Sequence, residues 1–200
     1  MTTTFSRTTL VAAVALAALT LGGCAPSTAG GTAETPAASA APTASEPPST
    51  PVVQTTLRDE VEGTTVTPLA MVTDFPSPEG STAGVHPVLV KVRVEASDEF
   101  DTSVFPSVVS ITPRDANLDY ITLGMSNPDV LTSAMNAAGY PALSAVPGGE
   151  TSTAWIGAWV NDGGTEFDLV YDRREATVFG GSRDGEKLAP SQAIAQLVAE

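Results

Sequence analysis

The stretch His86–Ala96 reads HPVLVKVRVEA, and its side-chain pattern decides the fold. Valines occupy positions 88, 90, 92 and 94, and Leu89, Lys91, Arg93 and Glu95 occupy the positions between them. Because successive side chains of a β-strand point to opposite faces, this period of two predicts a strand whose valines are buried. The other face, which carries Leu89 and the charged residues, is predicted to face outward.

Weaker patterns of the same kind predict strands on both sides of this one. Runs of β-branched and aromatic residues, separated by Gly, Pro, Asn and Asp, are typical of short strands joined by turns. The predicted strands are Thr64–Thr73, where Pro68 indicates an edge or a bulge, then Val108–Thr112, Leu118–Met125, Thr151–Val160, Glu166–Asp172 and Ala176–Gly180.

Two segments carry helix signals instead. Asn127, Pro128 and Asp129 combine an N-cap, a proline at the first helical position and an acidic first turn, and Gly139 supplies a stop, which predicts a helix over 128–138. Pro190–Ala199 repeats the proline start and carries an apolar stripe, which predicts a second, C-terminal helix.

The tryptophan-rich strand and the strand after it are predicted to form a hairpin around Asn-Asp-Gly-Gly-Thr. In the register that pairs their aromatics, Trp159 lies opposite Phe167 and Trp155 lies opposite Tyr171. This register turns the aromatic face inward, toward the four valines across the core, and leaves Asp168 and Asp172 on the wetter face.

Together these elements predict an all-β fold, an antiparallel immunoglobulin-like β-sandwich with a short inserted helix and a helical C-terminal tail. The order of motifs resembles a family of small secreted immunoglobulin-like proteins related to the mycobacterial immunoprotective extracellular antigen. The segments that carry the resemblance are Gly63–Val66, Val88–Val94, Ile111–Asp115, Gly148–Thr151 and Leu169–Tyr171. The resemblance implies a β-sandwich with a binding or surface role and brings no catalytic residues.

The N-terminal residues are predicted to direct export. Leu10–Leu21 is an apolar run of 12 residues, too short to cross a membrane as a helix and typical of a signal peptide. Leu21-Gly22-Gly23-Cys24 follows and resembles the lipobox of bacterial lipoproteins. The resemblance implies a signal peptide over 1–23, cleavage between Gly23 and Cys24, and acylation of Cys24.

The segment after Cys24 is predicted to be a tether. Residues 25–51 consist of Ala, Pro, Thr, Ser, Gly and Glu alone, and such a composition cannot bury enough apolar surface to offset the entropy of ordering. Its Ser and Thr residues suit either O-glycosylation or an unmodified spacer. The predicted organisation is therefore a lipidated Cys and tether over 24–51 and a β-sandwich domain over 52–200.

Composition excludes several classes of function. The chain carries 23 acidic and 9 basic residues, a net charge of −14, and a single Cys and a single His. The charge argues against binding to nucleic acid, whose phosphates require clustered cations. One His and a Cys assigned to lipid exclude a two-histidine metal site and a blue-copper site. No dinucleotide or phosphate-loop motif is present, and no cofactor is predicted.

The remaining candidate residues each have an ordinary structural explanation as well. His86 precedes a proline at a strand start, without a nucleophile motif for a Ser–His–Asp triad. Asp98, Glu99 and Asp101 form an acidic loop that either binds a cation or is simply solvated. Asp172, Glu175 and Asp184 are the acids that a glycoside hydrolase would pair. Asn161 and Asp162 suit a turn, and Met125, Met135 and Tyr140 suit a core or an adaptable surface.

The function expected from these features is an extracytoplasmic binding or interaction domain held at the cell membrane by the lipid on Cys24. Its partner would be an envelope protein or a cell-wall component, and no catalytic residue is assigned. Two alternatives stay open, an envelope hydrolase with paired carboxylates and a structural or antigenic surface protein without a specific ligand. The observation that would help most to decide among them is whether the folded domain has a concave patch or an exposed apolar groove.

The Cys24→Ala variant tests the anchor. Because the thiol is the acyl acceptor, the variant should either leave the membrane fraction or remain unprocessed with its signal peptide attached. Membrane fractionation and the mass of the mature chain measure both outcomes. A variant that is processed and still sediments with membranes as the wild type does would contradict the lipobox interpretation.

Overall fold

A computed structural model describes residues 47–100, 102–114, 128–179 and 183–200. Ten β-strands and one α-helix occur in this part of the chain, so the all-β class is confirmed. The strands are β1 (Thr50–Pro51), β2 (Leu57–Arg58), β3 (Thr65–Val72), β4 (Val85–Glu95), β5 (Val109–Pro113), β6 (Thr151–Asn161), β7 (Phe167–Arg173), β8 (Ala176–Thr177), β9 (Lys187–Leu188) and β10 (Ser191–Leu197), and the helix is α1 (Pro128–Ala137). The predicted strand Leu118–Met125 lies outside the described residues.

The first sheet is built around the valine-rich strand, as predicted. Its order is β1-β3-β4-β6, and β2 also pairs with β3. β4 pairs antiparallel with β6 along its whole length, from Val85 opposite Asn161 to Glu95 opposite Thr151. The register between β3 and β4 shifts between Pro68 and Ala70, so the bulge predicted at Pro68 is confirmed.

Strand pairing begins before residue 52. Thr50 and Pro51 pair with Met71 and Ala70 of β3, and the hydroxyl of Tyr140 donates a hydrogen bond of 2.9 Å to the carbonyl of Pro48. The last residues of the predicted tether therefore belong to the folded region.

The second sheet has the order β10-β7-β5, and β8 and β9 form a separate two-stranded ribbon. The predicted C-terminal helix is wrong. Ser191–Leu197 is a strand that pairs with β7 over seven residues. Ala195 and Leu197 are buried in the core at a spacing of two, while Gln192, Ile194 and Gln196 are exposed. The helix-forming tendency of this segment gives way because pairing with β7 satisfies its backbone and buries its alternate side chains.

The predicted hairpin is also wrong. β6 pairs with β4 in the first sheet, whereas β7 pairs with β5 and β10 in the second. The predicted turn exists, with Gly163 in the left-handed region at φ +93°, but it carries the chain from one sheet to the other. The physical reason is that β6 forms a ladder of eleven residue pairs with the more distant β4.

The main core lies between the two sheets. The four valines of β4 are fully buried, and Phe167, Leu169 and Tyr171 of β7 belong to the same cluster. The inward orientation predicted for both sets is confirmed.

A second core lies on the opposite face of the first sheet, and it corrects the predicted position of the tryptophans. Residues opposite each other in an antiparallel pair share a face. Trp155 and Trp159 have the parity of Gly157, which is opposite Leu89, so they point away from the valines. They pack with Leu89 under Leu131 and Met135 of α1. Leu89, predicted to face outward, is fully buried.

Helix α1 forms where the sequence predicted it and closes this second core. It begins at Pro128, and Gly139 beyond its end takes φ +85°. The helix packs close to the sheet because Gly157 has no side chain. A Cβ atom there would lie 2.7 Å from Met135 Sδ and 2.8 Å from Leu131 Cδ2.

Truncation of Leu89 tests this second core. Because the side chain is fully buried beneath the helix, Leu89→Ala should lower the free energy of unfolding by about 2–5 kcal/mol. Ile194→Ala, on the exposed face of β10, should lower it by less than about 1 kcal/mol. Urea denaturation of both variants measures the difference, and equal losses would contradict the burial of Leu89.

Candidate functional site

A cavity of about 330 Å³ opens where the free edges of the two sheets approach each other. Val109 of β5 forms one wall, Trp155 and Ile156 of β6 form another, and Met135 of α1 closes a third side. We call this cavity the edge pocket. Its volume is at the lower end of the range for small-molecule sites, about 300–1,000 Å³.

Local backbone geometry keeps the edge pocket open. The segment 141–143 pairs with β6 at a single residue, where Leu143 N–H donates to Trp155 O at 2.7 Å and Trp155 N–H donates to Pro141 O at 2.9 Å. The next residue of β6 on the same face as Trp155 is Gly157, which adds no side chain to the cavity wall. The segment 141–143 therefore covers the edge of β6 only as far as Leu143, and the cavity lies beside the part of that edge that it leaves uncovered.

Most of the side chains that line the edge pocket are apolar. Ser107 and Thr132 contribute hydroxyl groups, and no charged residue lines it. Phe105 stands at the rim with 58% of its surface exposed, an unusual exposure for so large an apolar side chain. The edge pocket therefore suits an uncharged, apolar group.

A second cavity of about 240 Å³ lies next to it, and Phe105 lines both. Val104, Val108, Val178 and Leu188 supply apolar walls to this second cavity. Glu62, Tyr171 and Arg173 also line it, so we call it the network pocket.

The network pocket is bounded by a buried ion network formed by Asp59, Glu62, Tyr171 and Arg173. Arg173 Nε donates to Asp59 Oδ2 at 2.6 Å, and Tyr171 Oη donates to the same oxygen at 3.1 Å. The other oxygen of Asp59 accepts from the backbone N–H groups of Val61 and Glu62 at 2.9 and 3.0 Å.

Glu62 joins the network from the other side of Tyr171. Its Oε2 lies 3.5 Å from Tyr171 Oη and 3.6 Å from Arg173 Nε, and its Oε1 accepts from the hydroxyl of Thr102. A second Arg173 nitrogen donates to the carbonyl of Ala189 at 2.9 Å. The network thus ties the turn after β2 to β7 and to the segment before β10.

The electrostatics of the network fix its protonation states. Burial raises the pKa of Asp59, but hydrogen bonds from Arg173 and from the backbone of Glu62 and Val61 outweigh it and lower the pKa to about 2. Burial and the neighbouring carboxylates of Asp59 and Glu62 raise the pKa of Tyr171 far above its usual range. At neutral pH Asp59 is therefore an anion and Tyr171 a hydrogen-bond donor.

The acids predicted for a hydrolase do not come together at either pocket. Asp172 lies on the outward face of β7, and Glu175 is exposed and lies 3.6 Å from Lys187. Asp184 lies in the turn before β9 and is exposed. None of the three lines the edge pocket or the network pocket. Asp168, predicted on the wetter face, is buried there and pairs with Arg114 at 3.1 Å.

The acidic loop 98–101 is partly neutralised by an arginine. Arg183 contacts Glu99 and Glu186 at 2.6 Å and lies over the ring of Phe100 at 3.9 Å. Asp98 is exposed, and Asp101 lies outside the described residues. Within the described ranges, no group of three or more His, Cys, Asp and Glu is placed to hold a metal ion.

The other candidate residues have structural roles where the structure describes them. His86 Nδ1 lies 3.1 Å from Asp162 Oδ1 in a surface pair. Asp162 begins the turn after β6, as predicted, whereas Asn161, predicted in that turn, is the last residue of the strand. Met135 and Tyr140 are buried in the second core, and Met125 lies outside the described residues.

Gly23 and Cys24 also lie outside the described residues, so the predicted lipidation and cleavage sites stay predictions. In the part of the chain that the structure describes, no helix has the length and hydropathy needed to cross a membrane. Comparison of the chain with protein-family models, with curated proteins and with solved structures gives no match.

Sequence reasoning missed the buried ion network, although one signal for it was present. Arg173 has the same strand parity as Phe167, Leu169 and Tyr171, so an arginine stands at a core position of β7. A charge at such a position requires a buried partner. Asp59 and Glu62 lie close together just before Gly63, and nothing in the sequence around them identified either residue as that partner.

Removal of the Asp59 charge tests the network. Asp59→Asn leaves the buried Arg173 without its closest anion, so it should lower the free energy of unfolding at pH 7 by about 3–5 kcal/mol. Glu60→Gln, an exposed neighbour in the same turn, should cost less than about 1 kcal/mol.

The same pair of variants gives a pH signature. The pKa of Asp59 is lowered from 3.8 to about 2, so its stabilisation is complete above about pH 4 and is lost as the pH falls toward about 2. The loss amounts to about 2–3 kcal/mol. Asp59→Asn should lack this part of the acid dependence, measured by calorimetry, whereas Glu60→Gln should keep it; an unchanged acid profile in Asp59→Asn would contradict the assignment.

Proposed function

We propose that this chain is a lipid-anchored extracytoplasmic protein whose immunoglobulin-like β-sandwich binds an apolar ligand in the edge pocket. The single observation that carries the proposal is the cavity of about 330 Å³ with no charged lining residue. An apolar concave site of this size is the usual form of a small-molecule site.

The size of the edge pocket limits its ligand. A buried apolar cavity of about 150 Å³ binds benzene, and a water molecule occupies about 30 Å³ of liquid. The edge pocket, at about 330 Å³, therefore has room for about ten non-hydrogen atoms. Met135, which is unbranched and flexible, suits a wall that adapts to the shape of its ligand.

The proposal includes no catalysis. Both oxygens of Asp59 accept hydrogen bonds, and Glu62 accepts from Thr102 and Tyr171, so the two buried acids are engaged in holding the fold. The acids first considered for a hydrolase, Asp172, Glu175 and Asp184, line neither pocket. The apolar lining of the edge pocket therefore supports a binding role better than either set of acidic residues supports hydrolysis.

The proposed location follows from the N-terminal sequence. Acylation at Cys24 would hold the domain at the outer face of the cell membrane, and residues 25–46, fully extended, would reach about 70 Å from it. The negative net charge of the chain would keep the domain off an anionic bilayer surface.

A pair of tryptophan substitutions on one helix tests the site. Thr132 lines the edge pocket, whereas its neighbour Ser133 is exposed and does not. Thr132→Trp should fill the cavity and weaken binding of the neutral fluorescent dye 1-aminonaphthalene, which has eleven non-hydrogen atoms, at least tenfold. Ser133→Trp, the matched control, should change it less than twofold. Both are measured by titration in a Cys24→Ala background, which removes the acylation site.

The possible outcomes separate the proposal from its alternatives. Equal affinity in both tryptophan variants would place the dye elsewhere and contradict the edge pocket as the site. No dye binding to the unsubstituted domain would favour the structural or antigenic alternative. Retained folding of Thr132→Trp is checked by its urea midpoint.

A further inference from the structure

The edge pocket and the network pocket share one lining residue, Phe105. Its neighbours divide between the two cavities. Pro106, Ser107 and Val109 line the edge pocket, and Ser103, Val104 and Val108 line the network pocket. The segment 103–109 therefore borders both cavities, and Phe105, which lines both, is exposed over 58% of its surface.

From this arrangement we propose that the two pockets are the two halves of one site for an uncharged single-chain lipid. The inference rests on the proposed function and names its ligand class. A straight alkyl chain would fill the edge pocket, cross the face of Phe105 and continue into the network pocket. A rigid ring system of the same volume cannot follow such a path.

The volumes set the length of chain that each half accepts. At about 30 Å³ for each non-hydrogen atom, the edge pocket of about 330 Å³ holds about ten carbons. The network pocket, of about 240 Å³, holds about eight more. The exposed ring of Phe105 covers the carbons that pass from one to the other.

The lining selects an uncharged head group. No charged residue lines the edge pocket, and burying an unpaired charge in apolar surroundings is costly. In the network pocket the charged side chains are already paired, because Arg173 bonds to Asp59 and Glu62 bonds to Thr102. The hydroxyls of Ser107 and Thr132 are available to a hydroxyl or ester group. The net charge of −14 adds repulsion against an anionic lipid.

The test measures how 1-alkanols from six to sixteen carbons displace 1-aminonaphthalene from the Cys24→Ala chain. Each added methylene should tighten binding about fourfold as long as it enters apolar surface. In the unsubstituted domain the affinity should keep rising beyond ten carbons. Decanoate should bind at least tenfold more weakly than 1-decanol.

Two further variants locate the second half of the site. Thr177 lines the network pocket but not the edge pocket, and Glu175 is exposed and lines neither. In Thr177→Trp the rise in affinity should stop near ten carbons, while 1-octanol binds as it does to the unsubstituted domain. In Glu175→Trp the rise should continue. Unchanged octanol binding also shows that Thr177→Trp is folded.

The results distinguish failure of this inference from failure of the proposed function. If the dye binds but no alkanol displaces it, or if the affinity of the unsubstituted domain stops rising near ten carbons, the two-part lipid site is overturned and the edge pocket remains a binding site. Equal affinity for decanoate and 1-decanol would overturn the uncharged head group. If the dye itself does not bind, the proposed function fails as well.

Discussion

The structure depends on β4, which is buried along its valine face and, at Leu89, on the opposite face as well. Its four valines pack into the core between the sheets, and Leu89 packs on the other side beneath α1. Burial of the valines requires the second sheet on one side, and burial of Leu89 requires the helix on the other side, whereas Arg93 and Glu95 near the end of the strand are exposed. Leu89 pairs with Gly157 of β6. The helix can pack over this pair only because position 157 has no side chain.

Local patterns in the sequence predicted five of the six strands that are five or more residues long, but they missed β10 and said much less about what each strand pairs with. The period of two in β4 and the alternation in β6 and β7 identified the strands and their internal parity correctly. Which sheet each strand joins depends on contacts between residues far apart in the chain. The predicted hairpin and the predicted C-terminal helix failed for this reason, because local turn and helix signals were outweighed by pairing with β4 and β7.

The candidate site shows the same limit. The acidic residues that the sequence grouped together, such as Asp172 and Glu175, lie apart from both pockets. Asp59 and Arg173 form the closest buried ion pair across 114 positions of sequence. The edge pocket arises where β5, β6 and α1 meet, and no single segment carries a pattern for such a meeting point. From the sequence alone, only two properties of this site could be recognised: Met135 is large and flexible, and Gly157 has no side chain.

The attachment of the N-terminal segment has a mechanical consequence. A pull on the chain through residue 47 would act first on the two residue pairs that join β1 to β3 and on the hydrogen bond from Tyr140 to Pro48. The next contacts to resist the pull would be those of Val52, which is fully buried, and the hydrogen bond of 2.8 Å that Val53 N–H donates to Val198 O. The segment 47–51 would peel away before the core yields and would add about 16 Å of reach. The segment 47–51 is therefore the part of the domain that a pull from its N-terminal side would detach first.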